Sequence, residues 1–235
     1  KKIALIVIFI TFGIFLYQIF FPVQIHKEAS IVTGHPEATK IGEFILKKGG
    51  NAIDASLATQ LALAVCFPRA GNIGGGGFMV YRTQNGGVGA LDYREKASEN
   101  ASKNMFLDNE GNVIPDKSTL GGLSVGIPGT VAGLFEIYQK MGTLPWETLV
   151  QPAIDLAEKG FIITEKQAIS LNSKRVDFIK INGDKTFYGY KYKTGDTVKN
   201  HAIASTLKLI QKEGKKGFYE GITAKLIVDK IKKTG

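Results

Sequence analysis

The sequence predicts an α/β fold, and three observations carry that prediction. Two helical patterns come first, one amphipathic and one apolar on every side. A pair of short apolar strands joined at Asn85-Gly86 comes next. Helical periodicity then dominates the second half.

Each element has a local cause. Pro36 to Lys48 reads as a helix: Pro suits the first helical position, and Ile41, Phe44 and Ile45 share one face. Gly49-Gly50 end it. Asn51 caps the next helix, with Asp54 three residues on in a box-like arrangement. From Ala52 to Cys66 nearly every side chain is apolar or small, so this helix is expected to be buried. Phe78 to Arg82 and Val88 to Tyr93 read as strands, and Asn85-Gly86 between them is a hairpin signal. Residues 95–120 are polar and loop-like. Ser124 to Thr130 leads into a helix carrying Val131, Leu134, Phe135 and Tyr138. A helix from Pro145 to Gly160 is next, then one capped by Thr164 with Gln167. Ala202 to Lys212 and Thr223 to Lys233 complete the pattern.

Composition excludes several function classes. At 235 residues the chain can bury a core without disulfides or metals, and its single cysteine, Cys66, rules out a disulfide framework. The net charge of +9 lies wholly beyond residue 173: residues 1–173 carry 15 basic and 15 acidic side chains, residues 174–235 carry 15 and 6. Only four of the basic residues are Arg. Spread lysines without arginine forks read as a solvated surface, not as a nucleic-acid face. The three histidines, His26, His35 and His201, have no metal-ligand spacing, so no metal or cofactor is expected.

At the N-terminus, Lys1-Lys2 precede an uncharged stretch from Ile3 to Val23, long enough to cross a bilayer. The expectation is a signal anchor over residues 1–23, with residues 24–235 exported to the periplasmic or extracellular side. A cleaved signal peptide is the alternative, but the bulky Phe20-Phe21-Pro22-Val23 offers no small-x-small cleavage site.

Two places could carry chemistry. Gly71 to Gly89 holds eight glycines, four of them consecutive at Gly74 to Gly77. Neither nucleotide motif fits, because no Lys follows and the run opens a strand where a phosphate loop would open a helix. Close backbone packing is the remaining explanation. Arg94, at the end of the second strand in Leu91-Asp-Tyr-Arg-Glu-Lys96, could clamp a carboxylate with two parallel hydrogen bonds. A salt bridge to Asp92 or Glu95 is the other reading. Ser124 and Thr130 read as loop and cap residues.

Six ordered motifs together carry a resemblance. They are Gly34-His-Pro-Glu-Ala-Thr39, Gly49-Gly-Asn-Ala-Ile-Asp-Ala55, Gly71-Asn-Ile-Gly-Gly-Gly-Gly-Phe-Met79, Leu91-Asp-Tyr-Arg-Glu95, Ser124-Val-Gly-Ile-Pro-Gly-Thr130 and Gln151-Pro-Ala-Ile-Asp-Leu-Ala157. With these the chain resembles the gamma-glutamyltransferases, or glutathione hydrolases, of the N-terminal-nucleophile hydrolase superfamily. The resemblance implies an αββα sandwich, of which these residues form the front part of the large subunit. It implies attack on a γ-glutamyl amide such as glutathione, with water or an amino acid as acceptor. The nucleophile would be a threonine exposed by self-cleavage at the start of a small subunit, its own amine acting as base. In this family Arg94 matches the residue that holds the substrate's α-carboxylate. The Thr-Thr-His nucleophile motif is absent, so no catalytic residue is expected on this chain and the isolated chain is expected to be inert. A related exported amidase (a capsule-polyglutamate depolymerase or cephalosporin acylase) and a non-catalytic remnant or binding module are the alternatives.

Overall fold

The computed structural model describes residues 29–235, and every helix and strand it describes lies in the unit from Ile31 to Gly235. The anchor expected over residues 1–23 lies outside the described residues. Among those described, no helix is long and apolar enough to cross a membrane.

Helix α1 (Pro36–Lys47) starts where His35 caps it. The His35 Nδ1 accepts from the Glu37 N–H at 3.2 Å, so that nitrogen carries no proton. Burial pushes the His35 pKa below its ordinary value, which suits the neutral, accepting ring. Helix α2 (Ala52–Cys66) begins with the capping box expected of Asn51 and Asp54. It is buried over most of its surface, as its composition leads one to expect, with one stripe (Ala52, Ser56, Gln60, Leu63) exposed or half-buried.

Strands β1 (Phe78–Arg82) and β2 (Val88–Asp92) pair antiparallel, with Phe78 opposite Asp92 and Arg82 opposite Val88. The turn between them differs from a two-residue Asn-Gly loop. The Gly86 N–H bonds the Thr83 carbonyl at 3.0 Å, and the Thr83 N–H bonds the Gly87 carbonyl at 2.7 Å. Three residues therefore close the hairpin, and Gly86 takes the left-handed position at φ +88°.

Residues 95–120 contain turns and one isolated bridge, Leu107 with Val113; a second bridge joins Lys96 to Ile127. A 3₁₀ turn at Gly122–Ser124 leads towards α3 (Thr130–Met141) and α4 (Trp146–Lys159). Helix α4 continues through Pro152. A two-residue strand β3 (Phe161–Ile162), helices α5 (Glu165–Ser173) and α6 (Arg175–Asn182) and strand β4 (Thr197–Val198) come after it. Helices α7 (His201–Glu213), α8 (Lys216–Tyr219) and α9 (Gly221–Thr234) end the chain.

The core forms where α2 meets α1 and α4, and where α4 meets α7. Leu57, Leu61, Leu149, Ile154, Leu207 and Ile210 are almost fully buried there. Fully burying one such side chain contributes about 1.5–3 kcal/mol. The Trp146 indole N–H donates to the Ile210 carbonyl at 2.9 Å and satisfies its one polar atom in that core. This helical block supports the hairpin through α3, which packs on β2.

Candidate substrate-binding site

The hairpin decides where Arg94 points. Side chains alternate along β1 and β2, with Met79, Tyr81 and Leu91 half-buried and the intervening positions exposed. The alternation continues past the strand: Tyr93 is half-buried and Arg94 exposed. Burial pushes the Tyr93 phenol above its ordinary pKa.

Neither neighbour neutralises Arg94. The Asp92 Oδ1 accepts the Arg94 backbone N–H at 2.9 Å, and no carboxylate forms an ion pair with the guanidinium among the described residues. The guanidinium carbon instead lies 5.7 Å from the centroid of the Phe78 ring on the exposed side of the hairpin. At an exposed site that contact contributes about 0.5–1 kcal/mol, enough to bias the side chain without consuming its donors. The salt-bridge reading of Arg94 is thus not realised, and its paired N–H groups remain free for a carboxylate.

The backbone around Arg94 is held from both sides. Gly77 exchanges two hydrogen bonds with Tyr93, at 3.3 and 3.0 Å. Ile127 exchanges two with Lys96, at 3.1 and 2.8 Å. Close packing explains part of the glycine run here, though Gly74 faces open space. A Cβ on Gly76 would lie 2.7 Å from the Arg94 Cα, and one on Gly129 would strike the Tyr93 and Arg94 carbonyls. Only glycine permits that approach.

A cleft of about 530 Å³ opens beside Arg94, with Tyr93, Ile127, Glu136, Lys216 and Tyr219 in its wall. The Tyr219 hydroxyl donates to the Pro128 carbonyl at 2.8 Å and accepts from the Ala132 N–H at 3.2 Å. It thereby ties α8 to the loop behind Arg94. Sequence reasoning gave Asn72 and Tyr219 no role of their own and read Thr130 as a loop or cap residue, but no side chain caps α3 and these three residues find partners 58 to 91 residues away in the chain. Ser124 is a loop residue as expected, its hydroxyl donating to the Gly121 carbonyl at 2.7 Å. No group of three or more potential metal ligands occurs among the described residues.

The family model for gamma-glutamyltranspeptidase matches residues 38–235. A glutathione hydrolase proenzyme from Pseudomonas sp. (strain A14) is 44% identical over 213 residues, 89% of this chain and 37% of that relative. The crystal structure of Helicobacter pylori gamma-glutamyltranspeptidase matches with a TM-score of 0.87 at 45% identity, over 91% of this chain and 62% of that one. The Bacillus anthracis transpeptidase CapD matches at 0.70 and 33%, over 88% and 66%. The chain therefore spans a little over a third of the length of the Pseudomonas relative, and its fold is the corresponding part of the N-terminal-nucleophile hydrolase fold. Motif order, matched span and backbone agree over the same residues, and this chain belongs to the gamma-glutamyltranspeptidase family.

Proposed function

We propose that these residues form part of an enzyme that transfers or hydrolyses the γ-glutamyl group of glutathione and related γ-glutamyl amides. The observation that carries this reading is the guanidinium of Arg94, unpaired among the described residues and carried two residues past the end of β2. Its fork donates two parallel hydrogen bonds to the α-carboxylate of the γ-glutamyl group, which orients the γ-carbonyl for attack. No Thr in this sequence immediately precedes a His, so the nucleophilic threonine, its amine base and the oxyanion donors are assigned to a small-subunit partner.

Hydrogen bonds to charged groups contribute about 1.5–3 kcal/mol, one to two decades in binding. Arg94→Ala, in the enzyme assembled with its nucleophile-bearing subunit, is expected to raise KM for γ-glutamyl p-nitroanilide about 10–100-fold. An unchanged KM would remove Arg94 from the site. The likeness to CapD supports a second reading, a related amidase. Turnover of poly-γ-glutamate in preference to glutathione would select it.

The same proposal places the enzyme outside the cytoplasm, held by residues 3–23. After alkaline carbonate washing of membranes the chain is expected in the pellet; its release to the supernatant would count against an uncleaved anchor.

A further inference from the structure

We infer that Asn72 and Thr130 are positioning residues for Arg94, acting as a latch between the two loops that grip its backbone. The inference rests on the reading of Arg94 as the carboxylate clamp.

Thr130 is fully buried at the first turn of α3. Its hydroxyl does not bond within its own helix; it donates to the Asn72 Oδ1 at 2.5 Å. The same oxygen accepts the Gly75 N–H at 2.9 Å, and the Asn72 Nδ2 donates to the Gly76 carbonyl at 3.4 Å. The Gly75 carbonyl in turn accepts the N–H groups of Gly129 and Thr130, at 2.8 and 3.0 Å. One amide orientation of Asn72 satisfies all its contacts. Three hydrogen bonds thus join residues 72–76 to 129–130 and two more brace the 72–76 loop itself, although 58 residues separate Asn72 from Thr130.

The two joined segments are the ones that hold Arg94. Gly76 rests on the Arg94 Cα, and Gly77 is paired with Tyr93. Gly129 lies against the Tyr93 and Arg94 carbonyls, and Ile127 is paired with Lys96. If the latch opens, the segments on either side of Arg94 are free to separate, and the guanidinium loses its fixed origin. Neither Asn72 nor Thr130 needs to touch the substrate for this to matter, since a displacement near 1 Å can cost about 100-fold.

The test compares KM with kcat in the assembled enzyme. Thr130→Val keeps the side-chain shape and removes the donor; Asn72→Ala removes the acceptor at a half-buried loop position. Each is expected to raise KM for γ-glutamyl p-nitroanilide about tenfold, with kcat changed less than about twofold. Thr130→Ser, which restores the hydroxyl, is expected to return KM to within about twofold of the wild type. On the Arg94→Ala background neither substitution is expected to raise KM further, because the group they position is gone. If Thr130→Val fails to fold, Asn72→Ala decides the matter alone. An unchanged KM in a folded variant, or an equal rise with and without Arg94, would overturn the latch. An unchanged KM for Arg94→Ala itself would sink the underlying reading of Arg94, and this inference with it.

Discussion

Among the described residues Arg94 has no carboxylate partner, although Asp92 and Glu95 flank it in sequence. Asp92 shares the exposed face with Arg94, but its carboxylate is turned to the Arg94 backbone N–H and not to the guanidinium. A sequence marks such a residue as a candidate but does not say whether its charge is spent. Asn72 and Thr130 are harder to read, because a loop asparagine and a helix-start threonine are ordinary until tertiary contact brings them together. Cys66 was legible only as an absence of disulfides, and its burial supplies a sharper statement. Burial pushes its thiol up to about 12 from an ordinary 9.0. The unfolded chain therefore releases this proton near pH 9 while the folded chain still holds it, so the native state binds more protons between pH 9 and about 12. Stability from this group is complete below pH 9 and falls as pH rises to about 12. In the native chain Cys66 is expected to resist thiol-disulfide reagents at pH 8 and to react only after denaturant is added. Rapid native labelling would contradict that.

At the scale of elements, helix starts were the most legible features because their signals are local. The boxes at Asn51/Asp54 and Thr164/Gln167 formed where the spacing placed them. Asp54 does more than its spacing announces. Fully buried, it also accepts the Thr143 N–H at 3.0 Å, the Thr143 hydroxyl, and the Leu144 N–H at 3.4 Å. It thus fastens the start of α2 to the connection between α3 and α4. Asp54→Ala leaves several donors unsatisfied and is expected to cost about 3 kcal/mol or more, read as a lower midpoint in urea denaturation. A shift below about 1 kcal/mol would mean that water replaces the carboxylate. The two-residue pair β3–β4 and the short helices α6 and α8 were not legible, because so few residues carry no period. Their partners, Phe161 with Val198 and Ile162 with Thr197, are fixed by the fold around them.

For the molecule as a whole, the charge of +9 gathers in residues 174–235, whereas Arg94 and its supporting loops lie in the neutral part. Net charge therefore says little about the substrate. The exposed side of the hairpin says more: Phe78, Val80 and Val88 are 63%, 82% and 77% exposed, an apolar strip whose Phe78 end lies against Arg94. That combination suits a γ-glutamyl substrate only when further groups enclose it, and it fits a site completed by the nucleophile-bearing subunit. Residues 24–235 alone are accordingly expected to release no nitroaniline from γ-glutamyl p-nitroanilide, and turnover by them would refute the placement of the nucleophile. The central claim, that Arg94 holds the substrate's α-carboxylate, is tested most directly by deleting each partner in turn. Wild-type and Arg94→Ala enzymes, assembled with the small subunit, are compared on γ-glutamyl p-nitroanilide and on its 4-aminobutyryl analogue, which lacks that carboxylate. The substitution is predicted to lower kcat/KM about 10–100-fold on the first substrate and to change it less than about twofold on the second. Equal losses on both substrates would show that Arg94 acts on something other than the carboxylate.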